Sequence, residues 1–189
     1  MKSRFSALMF IAALFLSPSI ASADEYSDTI SIFKNAGESA GFFNNSYAYL
    51  VFPTVGKGGL GVGAAHGSGK AYAQGKEVGD VKMNQVSVGL QAGGQAFSQM
   101  VFFQDKRAFD EFAKGSFEFD ATVQAVAITS SATASAGSTG STAGAAGGKK
   151  DAATAGQYRK GLAVFTVAKG GLMYQAAVAG QKFKYSKKK

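Results

Sequence analysis

Residues 55–72 read VGKGGLGVGAAHGSGKAY, with seven glycines in eighteen positions and a lysine near each end. A Gly-Lys pair is the mark of a phosphate-cradling loop, but that loop needs G-x-x-x-x-G-K followed by a Ser or Thr hydroxyl to ligate magnesium. Here Gly69-Lys70 is followed by Ala71 and Gly56-Lys57 by Gly58. The spacing G-x-G-x-x-G occurs at Gly56, Gly58 and Gly61, yet VGAAHGSGK follows it where a helix would have to open. The stretch instead alternates: Leu60, Val62 and Ala64 form one face, and Gly59, Gly61, Gly63 and Ala65 form another with almost no side chains. Glycines in a row on one strand face mark a close approach of backbone, a sharp bend or a ligand. The reading is a glycine-faced strand in a flat or strongly curved sheet.

The same period runs outward in both directions. In NQVSVGLQAGGQ, Val86, Val88, Leu90 and Ala92 point one way and Ser87, Gly89, Gln91 and Gly93 the other. Further strands are predicted at Ala48 to Thr54, Gly69 to Ala73, Phe97 to Phe103, Phe117 to Thr129, Gly161 to Ala168, Leu172 to Val178 and Gln181 to Tyr185. Short connections at Gly79-Asp80 and Gly170-Gly171 favour antiparallel hairpins. Two segments break the alternation. Tyr26, Ile30 and Phe33, continued by Gly37 and Ala40, have the spacing of an amphipathic helix, and Asp105 to Ala113 reads as a short helix with Asp105 as N-cap. The fold class expected is α+β, mainly antiparallel β, with a barrel-like curved sheet, an N-terminal amphipathic helix and one further short helix.

The N-terminus reads as a secretory signal peptide over residues 1–23: Lys2 and Arg4, then the apolar run Ala7 to Leu16, then Ala21-Ser22-Ala23, with cleavage expected before Asp24. Its removal leaves one domain, residues 24–189, and lowers the net charge from +8 to +6. Ser130 to Gly156 has no large apolar residue, so burial cannot offset its ordering entropy, and a disordered loop is expected there. From Lys149 onward ten basic residues face one acidic residue, Asp151. On an exported protein such an excess points to anionic lipid headgroups rather than nucleic acid, although solvated lysines are the plain alternative.

Chemistry-bearing residues are scarce. There is no cysteine, and His66 is the single histidine, so His/Cys metal clusters are excluded and neither a metal nor a cofactor is expected. His66 could be joined on paper with Asp80 or Asp120, but no G-x-S-x-G elbow accompanies it, and the chain reads as non-enzymatic. The residues left to act are aromatic and basic: Phe33 on the first helix, with Lys34, Lys57, Lys70 and Lys76 near it in sequence. An amphipathic helix with lysines suits an anionic membrane surface. Such a helix also packs commonly on its own sheet.

The order of blocks resembles the SYLF-domain family of lipid-binding proteins in its exported bacterial branch. The blocks are V-F-P-x-V-x-K-x-G at Val51 to Gly59, G-L-Q-A-G-G-Q at Gly89 to Gln95, and K-G-G-L-M at Lys169 to Met173. The resemblance implies phospholipid binding without catalysis, a periplasmic or secreted location peripheral to a membrane, a lipid-contacting lysine at Lys57 and a lipid-engaging helix at Tyr26 to Ala40. His66 departs from the family, which usually has tyrosine there, and the Ser130 to Gly156 insertion is longer than usual. The competing expectation is an outer-membrane or envelope structural or adhesion β protein without specific lipid binding. Against a membrane barrel, the C-terminus reads Lys187-Lys188-Lys189 where such barrels carry an aromatic residue.

Overall fold

The computed structural model describes residues 21–120, 123–128, 157–171, 178 and 180–188. The fold is mainly antiparallel β, a curled half-barrel sheet with flanking helices. In chain order it comprises α1 (Ala21–Asn35), α2 (Gly37–Ala40), α3 (Phe42–Asn45), β1 (Ala48–Ala73), β2 (Lys76–Phe103), α4 (Lys106–Ala113), β3 (Ser116–Glu118), β4 (Ala125–Ala127), β5 (Leu162–Gly171) and β6 (Lys182–Lys187). The leader read at residues 1–23 lies outside the described residues up to position 20, as do the whole of the Ser130 to Gly156 loop and residues 172–177 of the strand expected at Leu172 to Val178.

Two strands dominate. The three short strands read between Ala48 and Ala73 are one continuous strand, and β2 continues from Lys76 to Phe103 as its antiparallel partner. Their turn is at Gln74 and Gly75, both with positive φ (48° and 76°), the backbone of a two-residue hairpin whose twist matches its strands. The connection expected at Gly79-Asp80 lies inside β2, and that at Gly170-Gly171 inside β5; the register shifts beside both glycines, from Ala71 opposite Gly79 to Tyr72 opposite Glu77 and from Ala96 opposite Gly170 to Phe97 opposite Ala168, so the chain bulges there and stays in its strand. β2 is the spine of the sheet, ordered β3-β6-β2-β5-β4, with its first part paired to β6 and its last part to β5.

The ribbon does not run straight. Its register breaks between Leu60, opposite Ala92, and Val62, opposite Val88, so β2 spends two extra residues at this point and the ribbon bends. A Cβ on Gly59 would run into the Val62 carbonyl and the Gly63 Cα, which is why the inside of the bend is glycine. A second irregularity separates Phe52 and Val55 around Pro53, whose carbonyl accepts from Ser98 Oγ at 2.7 Å. The strand curls far enough that its ends meet, Gln74 N–H donating to the Tyr47 carbonyl at 3.2 Å.

The curl makes two cores. Inside it, Leu50, Phe52, Val55, Val81, Met83, Phe97, Val101, Phe103 and Phe183 pack with Phe109 and Phe112 of α4. A Cβ on Gly69 would sit 2.5 Å from the Phe52 ring and 2.6 Å from the Val51 carbonyl, so the two halves of β1 touch with no side chain between them. Outside it, Phe33 and Ala36 of the α1 region cover Val51, Met100, Phe102, Phe165 and Val167. The amphipathic stripe read at Tyr26 to Ala40 forms, but α1 stops at Asn35 and two four-residue helices carry the chain to β1. α4 begins as read, the Asp105 carboxylate accepting from the Ala108 N–H at 2.8 Å.

Candidate functional site: a bare basic and apolar sheet face

From Val62 to Ser68 the ribbon is covered on its inner side only, before Tyr26 of α1 meets Lys70 nearer the hairpin. Gly63, Ala65, Gly67, Gly69 and Ala71 of β1 turn inward and are buried, which leaves Val62, Ala64, His66 and Ser68 on the outer face. This orientation decides which of the two faces read from the alternation is the working one. The small residues are inside because the other half of the strand lies on them, and the larger apolar residues point to solvent. Leu60 is 82% exposed, Val62 60% and Val86 73%, and these are the exposed large hydrophobics among the described residues. All three lie on the bend.

Cross-strand pairing orders the face into rungs. Ala64 pairs with Val86, His66 with Asn84, and Ser68 with Lys82. β6 extends the last two rungs, placing Lys182 beside Asn84 and Lys184 beside Lys82. His66 Nδ1 lies 2.8 Å from Asn84 Oδ1, so the ring is engaged by an amide and not by an aspartate. Lys182 reaches Glu118 at 3.6 Å. Lys82 and Lys184 are both exposed and form no ion pair among the described residues. Like charges directly opposite across a ladder are unfavourable, so packing within the domain does not account for this pair. The face is therefore cationic at the Lys82–Lys184 rung, while Lys182 on the next rung is drawn to Glu118, and it is apolar at the bend beyond them.

The residues singled out from sequence are dispersed over the molecule. Phe33 is fully buried beneath α1, and Lys34 projects over the Phe43 ring with its Nζ 5.4 Å from the centroid. Lys57 is 6% exposed on the inner face, opposite Gln95, with no ion pair or hydrogen bond among the described residues. Desolvation pulls its ammonium below the ordinary lysine range. Lys70 is engaged by Glu77 at 2.9 Å and lies over the Tyr26 ring at 5.1 Å. The hydrogen bond to Glu77 raises the lysine's pKa, while the bonds from Lys188 and Lys70 lower that of the carboxylate. Lys76 is exposed at the hairpin turn, far along the ribbon from the bend. Gly59, Gly61 and Gly63 line the bend itself, where they allow curvature.

Sequence reasoning missed Lys82, Lys182 and Lys184. In KFKYSK the lysines alternate with Phe183 and Tyr185, which put them on one face of a strand, but only the register of β6 on β2 sets them beside Lys82. A groove of about 210 Å³ lined by Gly41, Phe42, Asn45 and Tyr158 lies elsewhere, under the volume usual for a small-molecule site of roughly 300 Å³ or more. Burial there pushes the Tyr158 phenol up to about 12, so it stays neutral and donates to the Asn45 carbonyl at 3.2 Å. Among the described residues no three His, Asp or Glu side chains gather in a way that would hold a metal, and no helix is long and apolar enough to cross a membrane.

No family model matches the chain. It is similar to Beta cell expansion factor A of Aeromonas veronii, with 27% identity over 143 residues, covering 75% of this chain and 46% of that protein. The chain thus spans about half the length of that relative.

Proposed function

We propose that the chain is a non-enzymatic protein that associates with anionic phospholipid surfaces. The observation that carries this reading is the adjacent, unpaired Lys82 and Lys184 on a sheet face that nothing among the described residues covers. Two ammonium groups held side by side repel each other in isolation and are relieved by a dense array of anions, which a phospholipid headgroup layer supplies. A lysine near an anionic surface contributes about 1 kcal/mol, so a handful acting together is sufficient for reversible attachment. Lys187 is exposed at the end of the same strand and adds to the positive field, whereas Lys188 just beyond it is held by Glu77 at 2.8 Å. The leader-like N-terminus and the blocks resembling the SYLF-domain family support an exported, peripheral protein of this kind, periplasmic or secreted. Because Phe33 and Ala36 are spent on the domain's own core, the reading places the lipid contact on the sheet and leaves α1 as a packing element.

The test is co-sedimentation of the protein with phosphatidylcholine vesicles containing graded phosphatidylglycerol. Binding is expected to rise with the anionic fraction and to fall as salt shortens the reach of the charges. Lys82→Ala with Lys184→Ala is expected to weaken it by roughly tenfold or more, at about 1 kcal/mol per lysine. Absence of binding at every composition would refute the reading.

A further inference from the structure

We propose that the bend of the long ribbon, carrying Leu60, Val62 and Val86, is a wedge that enters the acyl boundary of the bilayer while the lysine rungs behind it stay among the headgroups. This rests on the lipid reading above and goes beyond it, from adsorption by charge to penetration by a defined tip.

Three arguments converge on it. The first is distribution: exposed apolar side chains on a soluble domain are usually scattered, and a contiguous group marks a contact surface. Here the exposed large hydrophobics among the described residues fall together on one bend. The second is construction. With Gly59 and Gly63 on the inner side, the turn leaves no room for Leu60 or Val62 to swing inward, so the backbone holds these side chains outside. The third is charge placement. A strand rises about 3.3 Å per residue, so Asn84 and the neighbouring Lys182 lie about 7 Å behind Val86, and Lys82 with Lys184 about 13 Å behind it. Interfacial elements bury their apolar face roughly 5–10 Å into the headgroup and acyl boundary, which sets the lysine rungs level with the phosphates when the tip is in the hydrocarbon. Long lysine side chains reach forward to close the remaining distance.

The chain has no tryptophan, so a single introduced one reports on its own surroundings. The experiment compares Leu60→Trp with Gln104→Trp, an exposed position past the far end of β2, on phosphatidylcholine vesicles with and without phosphatidylglycerol, some carrying brominated acyl chains. Binding is followed in parallel by co-sedimentation. The expected result is a blue-shifted emission, quenched by bromine, for Leu60→Trp on anionic vesicles and neither change for Gln104→Trp. Leu60→Asp should weaken vesicle binding on the order of tenfold, the loss of one buried leucine side chain, with an unchanged melting temperature. Full co-sedimentation with an unshifted Leu60→Trp spectrum would overturn the wedge and leave charge-driven adsorption standing. No co-sedimentation at all would overturn the lipid reading and the wedge with it. A lipid-free dimer by sedimentation velocity that disappears in Leu60→Asp would show that a second copy covers the tip, and would also overturn the wedge.

Discussion

The two halves of the β1–β2 ribbon are made by the same pair of strands and are used differently. In the first half both faces are buried: Leu50, Phe52 and Val55 face the curl, while Val51, Met100 and Phe102 face α1. In the second half the inner face is Gly63, Ala65, Gly67, Gly69 and Ala71, and the outer face is bare at the bend. The first half supplies bulk and the second supplies flatness, and the two fit because one provides the volume that the other omits. The lesson is that apolar content does not tell which half carries stability. Phe102 and Leu60 are both large and apolar on strands, but one is fully buried and the other 82% exposed.

Replacing each in turn tests that contrast at its widest. Phe102→Ala removes a ring that meets Phe42, Phe43, Tyr49 and Phe165, with centroids 5.0 to 6.0 Å away, and should cost about 4 kcal/mol in urea unfolding. A loss below 1 kcal/mol would remove the distinction between the halves. Next comes the seam where they touch. Gly69→Ala forces a methyl against the Phe52 ring and the Val51 carbonyl and should cost about 2 kcal/mol, whereas Gly56→Ala, with nothing within 4 Å of the added carbon, should stay within about 0.5 kcal/mol.

A smaller effect of opposite sign is expected at Lys57, the charge buried within the first half. Lys57→Met keeps the apolar stem and removes an ammonium without a partner among the described residues, and should stabilise by about 1 kcal/mol at neutral pH. Its pH dependence has a definite sign. The folded-state pKa lies below the ordinary lysine value of 10.5, so between the two the folded chain binds fewer protons than the unfolded one. The original protein therefore gains on Lys57→Met as pH rises through that window, and thermal melts of the pair at rising pH should converge. The smallest effect belongs to the tip: Leu60→Ser should leave the melting temperature almost unchanged, within about 0.5 kcal/mol. A large drop would place Leu60 in a core and erase the bare face.

Much of this was legible in the sequence, and the omissions have physical causes. Period-two alternation marks a strand whichever side is buried, so NQVSVGLQAGGQ announced β2 without saying that Val86 faces water. The inner face was chosen by size, through the close approach at Gly67 and Gly69, and a local pattern carries no information on what lies opposite. Lys57 sits in a block read as lipid-contacting, yet it follows Val55 on the inward parity of β1 and is enclosed with it. The lysines that do share a face come from positions about a hundred residues apart, joined only by the register of β6 on β2. Asp105 was legible because a cap is a local device, closed within three residues.

The turn at Gln74 and Gly75 bears on how the molecule is assembled in time. Closing a two-residue loop loses little chain entropy, so the ribbon can zip outward from this point early in folding. The buried amide pair between Gln99 and Gln181, joined by bonds of 2.8 and 3.0 Å across 82 residues of sequence, belongs to the slow end of the process. A zipper started one residue out of step would present Ser68 and Lys70 where Gly67 and Gly69 must lie against Phe52 and Val51. The glycine seam therefore acts as a proofreading step: a misaligned ribbon can form, but it cannot curl shut.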